Sequence, residues 1–135
     1  AYRRLVPGLW APTAANWGVE NRTTAIRVIP AGPEGQRSEY RIAPADANPY
    51  LALSAALASG LAGIEEGLEL PEPVVGNAYD VATPAALALP GSLGEAAARL
   101  RTSALARRAF GDAFVDHYAT TREAEERAFR RSVSD

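Results

Sequence analysis

The order of apolar and polar positions gives the first third of the chain strand spacing and most of the remainder helical spacing. Residues 23–29, TTAIRVI, are rich in β-branched side chains, and residues 36–42, QRSEYRI, alternate; both are strand signatures. The connector PAGPEG carries two Pro and two Gly, so the two runs predict a two-stranded hairpin. Upstream, VPGLWAPTAANWG is punctuated by Pro7, Gly8, Pro12 and Gly18 and predicts a loop leading into a short strand.

Helical spacing begins at Asn48, which suits a cap, and Pro49, which suits a first turn. Leu53, Leu57, Leu61, Ile64 and Leu68 then form one stripe, with Ala, Ser and Gly on the other faces. Small residues all round let other backbones approach closely, so this helix is expected to be interior. A Pro-containing connector including GNAYD follows. SLGE then opens a second helix with a capping-box pattern, Ser92 reaching forward and Glu95 back, expected to run to about Phe110. Gly111 stops it, and Asp112 is expected to cap a third helix with Phe114, Tyr118 and Phe129 on its apolar side. The predicted class is α+β: an N-terminal hairpin and loop region packed on an interior helix, followed by two further C-terminal helices. One domain spans 1–135.

Composition narrows the function. The chain has 135 residues, 47% of them hydrophobic, as in soluble globular domains. It contains no Met and opens as if in the middle of an ordered segment, so we expect a piece of a longer protein. Without Cys there is no disulfide framework and no thiolate metal site; with no membrane-length apolar run and no leader pattern, a cytoplasmic protein is expected. All 14 basic residues are Arg, and the first 41 positions hold six of them against three Glu, a local charge of +3 beside −5 for the rest. An Arg excess without Lys suits small planar or tetrahedral anions, which the guanidinium fork grips at two points. Nucleic acid is disfavoured by the overall pI near 5.5.

Arg37, Glu39 and Arg41 sit at alternate positions, so a strand aims all three at one face. Taken alone, the triplet reads first as a solvated ion-pair ladder. Arg22 and Arg27 lie around the start of the neighbouring strand, and this region has too few acids to pair every Arg. Glu39 between two Arg is expected to be ionised, as a hard divalent cation requires, but one carboxylate does not make a metal site. His117, the only His, reads as structural, and Tyr79 as a loop residue.

In order and spacing, AYRRLVPGLWAPT, NRTTAIRVI, SEYRIAPADANPYLALSAALASGLAGI and GNAYD resemble the C-terminal part of the catalytic domain of the glutamine synthetase family. The resemblance covers essentially the whole chain. It implies an ATP- and Mg2+- or Mn2+-dependent enzyme that makes γ-glutamyl phosphate and passes the glutamyl group to an amine, working in ring-shaped homo-oligomers whose neighbouring subunits complete the site. It implies that Arg4 and Arg41 hold glutamate. Arg22 is implied to be shared between glutamate and the transferring phosphoryl group, Arg27 and Arg37 to serve the phosphates of ATP, and Glu39 to bind a metal. Arg22 and Arg37 are the implied catalytic residues, and Tyr79 falls where enteric members carry an adenylylated tyrosine.

Two departures redirect the expectation. No Lys stands between the hairpin strands, where ammonia-using members tend to carry one for ATP, and Trp10 stands where glutamine synthetases have a flap glutamate. That glutamate takes a proton from ammonium, so an indole removes a general base and a counter-charge, while it offers a surface for an alkylamine or its charge. The chain is similar to γ-glutamylpolyamine and γ-glutamylmonoamine ligases in its APT, ADANPYLA and GLAGI segments. We therefore expect an acceptor amine larger than ammonia, contacted by Trp10; the alternatives are an ammonia-using enzyme and a non-catalytic structural or regulatory member. The segment by itself is expected to be inactive and to need packing partners.

Overall fold

The computed structural model describes residues 2–132, which fall into two compact units, one ending at Leu89 and the other beginning at Pro90. The class is α+β, as expected.

The first unit is organised by a three-stranded sheet of β1 (Trp17–Val19), β2 (Ile26–Ile29) and β3 (Arg37–Tyr40), in that order. β2 and β3 form the expected antiparallel hairpin, with Arg27 opposite Glu39 and Ile29 opposite Arg37. β1 lies parallel to β2, pairing Trp17 with Ile26 and Gly18 with Arg27. Parallel neighbours ordinarily need a long crossover, yet only residues 20–25 connect these two. The turn is made possible by a left-handed Glu20, φ 51°, and by side chains that take over backbone partners. Asn21 Oδ1 accepts from Thr23 N–H (3.0 Å), Thr24 Oγ1 donates to the Asn21 carbonyl (2.9 Å), and Ala25 N–H donates to Asn16 Oδ1 (3.1 Å). Thr23 and Thr24 are buried because these bonds satisfy their polar atoms.

The connector after residue 70 is laced onto β1. Val74 N–H donates to the Trp17 carbonyl (2.9 Å), and Asn21 Nδ2 donates to the carbonyls of Val74 (3.0 Å) and Gly76 (2.8 Å). Gly18 is required here, since a Cβ at that position would stand 2.8 Å from the Val74 carbonyl oxygen and 2.9 Å from Asn21 Cβ.

Helix α1 (Pro49–Glu65) starts as predicted, with Asn48 accepting from the N–H groups of Tyr50 and Leu51 and Pro49 in the first turn. The expected interior position is not met within this chain. Leu53, Leu57, Leu61, Ile64 and Leu68 are each more than half exposed, and Ala62 is the helix's one buried residue. An apolar stripe is interior only where something covers it, and no described strand of the same unit lies along this one.

In the second unit, the single expected helix over 92–110 is two: α2 (Leu93–Thr102) and α3 (Ala104–Phe110). Ser103 is extended, φ −74° and ψ 111°; its N–H closes α2 onto the Leu100 carbonyl while its hydroxyl caps α3 at Ala106 N–H. A serine that offers its own oxygen to the backbone ends one helix as readily as it starts the next. Ser92 caps α2 at Glu95 N–H as predicted, whereas Glu95 reaches back to Gly91 N–H (2.9 Å), one residue further than a regular box. After Gly111, φ 80°, α4 (Asp112–Ser132) buries Val115 and Ala119, while of the expected apolar side Phe114 is partly covered by the Phe110 and Tyr118 rings and Phe129 is more than half exposed. Among the described residues the unit thus has three helices rather than the expected two. His117 is exposed on α4.

Candidate active site

Strand alternation puts Gly18 and Glu20, Ala25 and Arg27, and Glu39 and Arg41 on one side of the sheet. The charged members form a continuous ladder. Arg27 binds Glu20 through Nη2 and Glu39 through Nη1 (3.4 Å), and Arg41 Nη1 binds the same Glu39 oxygen at 3.2 Å. Of the expected Arg37, Glu39 and Arg41, the last two join this ladder, Arg37 forms no ion pair in it, and Glu20 is a further member. Glu20 was missed because only the register of the parallel pair carries it to Arg27.

Arg41 also gathers backbone. Its Nη2 donates to the carbonyls of Trp10 (2.8 Å) and Arg22 (2.9 Å). Arg4 in turn donates to the carbonyls of Arg41 (3.1 Å) and Ile42 (2.6 Å). Four predicted residues, Arg4, Arg22, Trp10 and Arg41, are thereby tied to one point, with Glu39 and Arg27 beside it. Arg37 is set apart: it is exposed, and its Nη1 donates to the Gly35 carbonyl of its own connector (3.1 Å).

The charges reinforce one another. The Glu20 hydrogen bond holds Arg27 above its ordinary pKa against the opposing pull of desolvation, with Glu39 adding in the same direction. For Glu39, desolvation pushes the carboxyl upward, but the Arg41 hydrogen bond and the nearby Arg27 charge outweigh it and hold the group below the usual carboxylate range. Glu39 is thus a stable anion between two cations.

The Nε–H groups of Arg4, Arg27 and Arg41, like that of Arg122 on α4, are buried and have no hydrogen-bond partner among the described residues. Buried donors of this kind are ordinarily satisfied; without accessible surface the three in the cluster are closed to a ligand as they stand, whereas the exposed Arg22 is open to one. A divalent ion is a different matter. Among the described residues no group of three or more His, Cys, Asp or Glu side chains converges, and a hard cation takes about six or more oxygen ligands. The residues present do not by themselves form a metal site.

Beside the ladder opens a cavity of about 700 Å3 lined by Trp10, Val19, Glu20, Arg22, Val74 and Tyr79 among others. Trp10 has left-handed backbone, φ 53°, and an exposed side chain; Arg22 is exposed at the same cavity. Tyr79, read from sequence as a loop residue, is held in a short 3-10 turn capped by Asn77, and its hydroxyl is engaged by Ala11. The arrangement joins an arginine-rich cluster to a mostly apolar cavity whose lining includes one indole, one carboxylate and one guanidinium.

Comparison with known proteins gives a consistent picture. The family described as glutamine synthetase, catalytic domain, matches residues 1–135. A gamma-glutamylethanolamide synthetase of Streptomyces coelicolor is 47% identical over the whole chain, a type-1 glutamine synthetase of Dictyostelium discoideum 43% over 98% of it, and a glutamate–isopropylamine ligase of a Pseudomonas species 44% over 88% of it. The chain spans 26 to 28% of the length of these relatives. Among the described residues no helix is long and apolar enough to cross a membrane.

Proposed function

The chain belongs to the glutamine synthetase catalytic-domain family, and from that premise we propose that it is the C-terminal part of the catalytic domain of an ATP-dependent glutamate–amine ligase whose acceptor is larger than ammonia. In this reading a γ-carboxylate oxygen of glutamate attacks the terminal phosphorus of ATP, the bond to ADP breaks, and γ-glutamyl phosphate forms. The amine nitrogen then attacks the acyl carbon, loses a proton, and phosphate leaves.

Charge crowding limits such a transfer, and fixed cations relieve it. Arg4, Arg22 and Arg41 are assigned to glutamate, and Arg22, Arg27 and Arg37 to the phosphates, with Arg22 and Arg37 nearest the chemistry. Their support is convergence: Arg41 ties the Trp10 and Arg22 carbonyls beside Glu39 and Arg27, and Arg22 is exposed at the cavity. Arg37 reaches the others only by leaving the Gly35 carbonyl. Glu39 is assigned one oxygen ligand to Mg2+ or Mn2+; this chain offers no complete metal site, so no step is routed through the ion. The working protein is a ring-shaped cytoplasmic homo-oligomer.

The observation that carries the acceptor assignment is Trp10, an exposed indole lining the cavity beside Arg22. Its face suits an alkyl chain or the charge of an amine, while it supplies no base for ammonium. The second reading, ammonia as acceptor, is favoured by the likeness to the Dictyostelium glutamine synthetase. Phosphate release by the full-length protein, with glutamate, ATP and ammonium, ethanolamine, isopropylamine or putrescine in turn, separates the two. An alkylamine is expected to be preferred, and Trp10→Glu to move the preference toward ammonium. Preference of the unaltered protein for ammonium refutes the reading, and turnover with none of them identifies a non-catalytic member.

A further inference from the structure

The Trp10–Ala11 peptide is gripped from two directions. Its carbonyl accepts from Arg41 Nη2 at 2.8 Å, and its N–H donates to Tyr79 Oη at 3.1 Å. The Tyr79 hydroxyl then donates to the next carbonyl, that of Ala11, at 2.9 Å. Both sides of this peptide plane are fixed, so the ψ angle of Trp10 is fixed with it. Ala11 is 1% exposed and Pro12 is fully buried, so water does not replace the hydroxyl at these backbone groups without opening the loop. Trp10 itself has φ 53°, a conformation that non-glycine residues keep only where their surroundings impose it.

The support for Tyr79 is itself built in. Asn77 Oδ1 accepts from Tyr79 N–H at 3.2 Å, and Ala78 N–H donates to the buried Thr23 Oγ1 at 2.9 Å. Thr23 Oγ1 donates to Asn21 Oδ1 at 2.6 Å, and Asn21 precedes Arg22. One chain of hydrogen bonds thus runs from the turn holding Arg22, through Tyr79, to the loop holding Trp10.

We propose that Tyr79 is a positioning residue: its hydroxyl locks the Trp10–Ala11 peptide and so sets where the indole stands toward the acceptor amine. The effect on the amine rests on the assignment of Trp10 made above; the lock itself does not. A tyrosine that served only as a packing staple would affect all substrates alike. A tyrosine that aims Trp10 affects the amine selectively, because displacements of about 1 Å at a reacting group cost up to a hundredfold in rate.

Tyr79→Phe in the full-length protein keeps the ring and removes both bonds. Its kcat/KM for the preferred of ethanolamine, isopropylamine and putrescine is expected to fall about tenfold or more, with KM for glutamate and ATP within about twofold. Deuterium uptake at residues 8–12 is expected to rise at least tenfold. If Tyr79 acts through Trp10, the double variant Trp10→Ala/Tyr79→Phe discriminates among the amines no worse than Trp10→Ala alone. Equal losses for all three substrates, or unchanged uptake at residues 8–12, overturn the proposal. If Trp10→Ala leaves amine preference unaltered while Tyr79→Phe still raises the uptake, the assignment of Trp10 fails and the lock stands.

Discussion

Replacing Arg41 by Lys keeps a positive charge on β3 and removes the fork that carries it. Arg41 Nη1 serves Glu39, while Nη2 serves the carbonyls of Trp10 and Arg22. An ammonium is a single point on a flexible stem and does not span these directions at once. With Glu39 as its strongest partner, the substituted side chain leaves both carbonyls. Hydrogen bonds from a charged donor contribute roughly 1.5–3 kcal/mol each, so the two together are worth about 3–6 kcal/mol. A fifth of the Arg41 side chain already faces water, and rehydration of the freed carbonyls returns part of the loss, leaving about 2–4 kcal/mol. At 1.4 kcal/mol per factor of ten, local opening becomes roughly 30- to 700-fold more frequent. Deuterium uptake in peptides covering residues 8–12 and 21–25 of the full-length protein reads this directly, with α4 as the internal control. A change below about threefold in both segments, or an equal rise in α4, refutes the view that one guanidinium holds the two loops together.

Gly18→Ala is expected to lower stability by about 1–3 kcal/mol, because the new Cβ would stand 2.8 Å from a backbone oxygen and 2.9 Å from the Asn21 Cβ, so that one of them must shift; thermal unfolding measures it, and an unchanged midpoint shows that the connector at Val74 is free to move. Glu39 has a folded-state pKa below its ordinary value, so the stability it adds is fully present above the ordinary carboxylate range and is lost as pH falls through the depressed value. The melting temperature of the unaltered protein should therefore exceed that of Glu39→Gln at neutral pH, with the gap closing as the pH falls below the ordinary carboxylate range. A gap independent of pH shows that the charge ladder does not depend on Glu39 ionisation.

Features set by near neighbours were legible in the sequence. The hairpin followed from alternation and a Pro- and Gly-bearing connector, the start of α1 from Asn48 and Pro49, and the cap at Ser92 from its spacing to Glu95, because each depends on atoms within a few residues. The shared face of Glu39 and Arg41 was legible for the same reason, since period-2 geometry is local. Ser103 misled because its neighbours fit a continuous helix, and its hydroxyl tips the balance only by offering a competing bond. Glu20 at the ladder's end, Arg41 as the tie between the Trp10 and Arg22 loops, and Tyr79 against Ala11 join positions 7 to 68 residues apart. Sequence spacing is silent on such pairs, since strand register and chain reversal bring them together. The stripe of α1 shows the same division from the other side. Its periodicity is written in the leucines, but burial belongs to whatever lies against them, and among the described residues the stripe stays open.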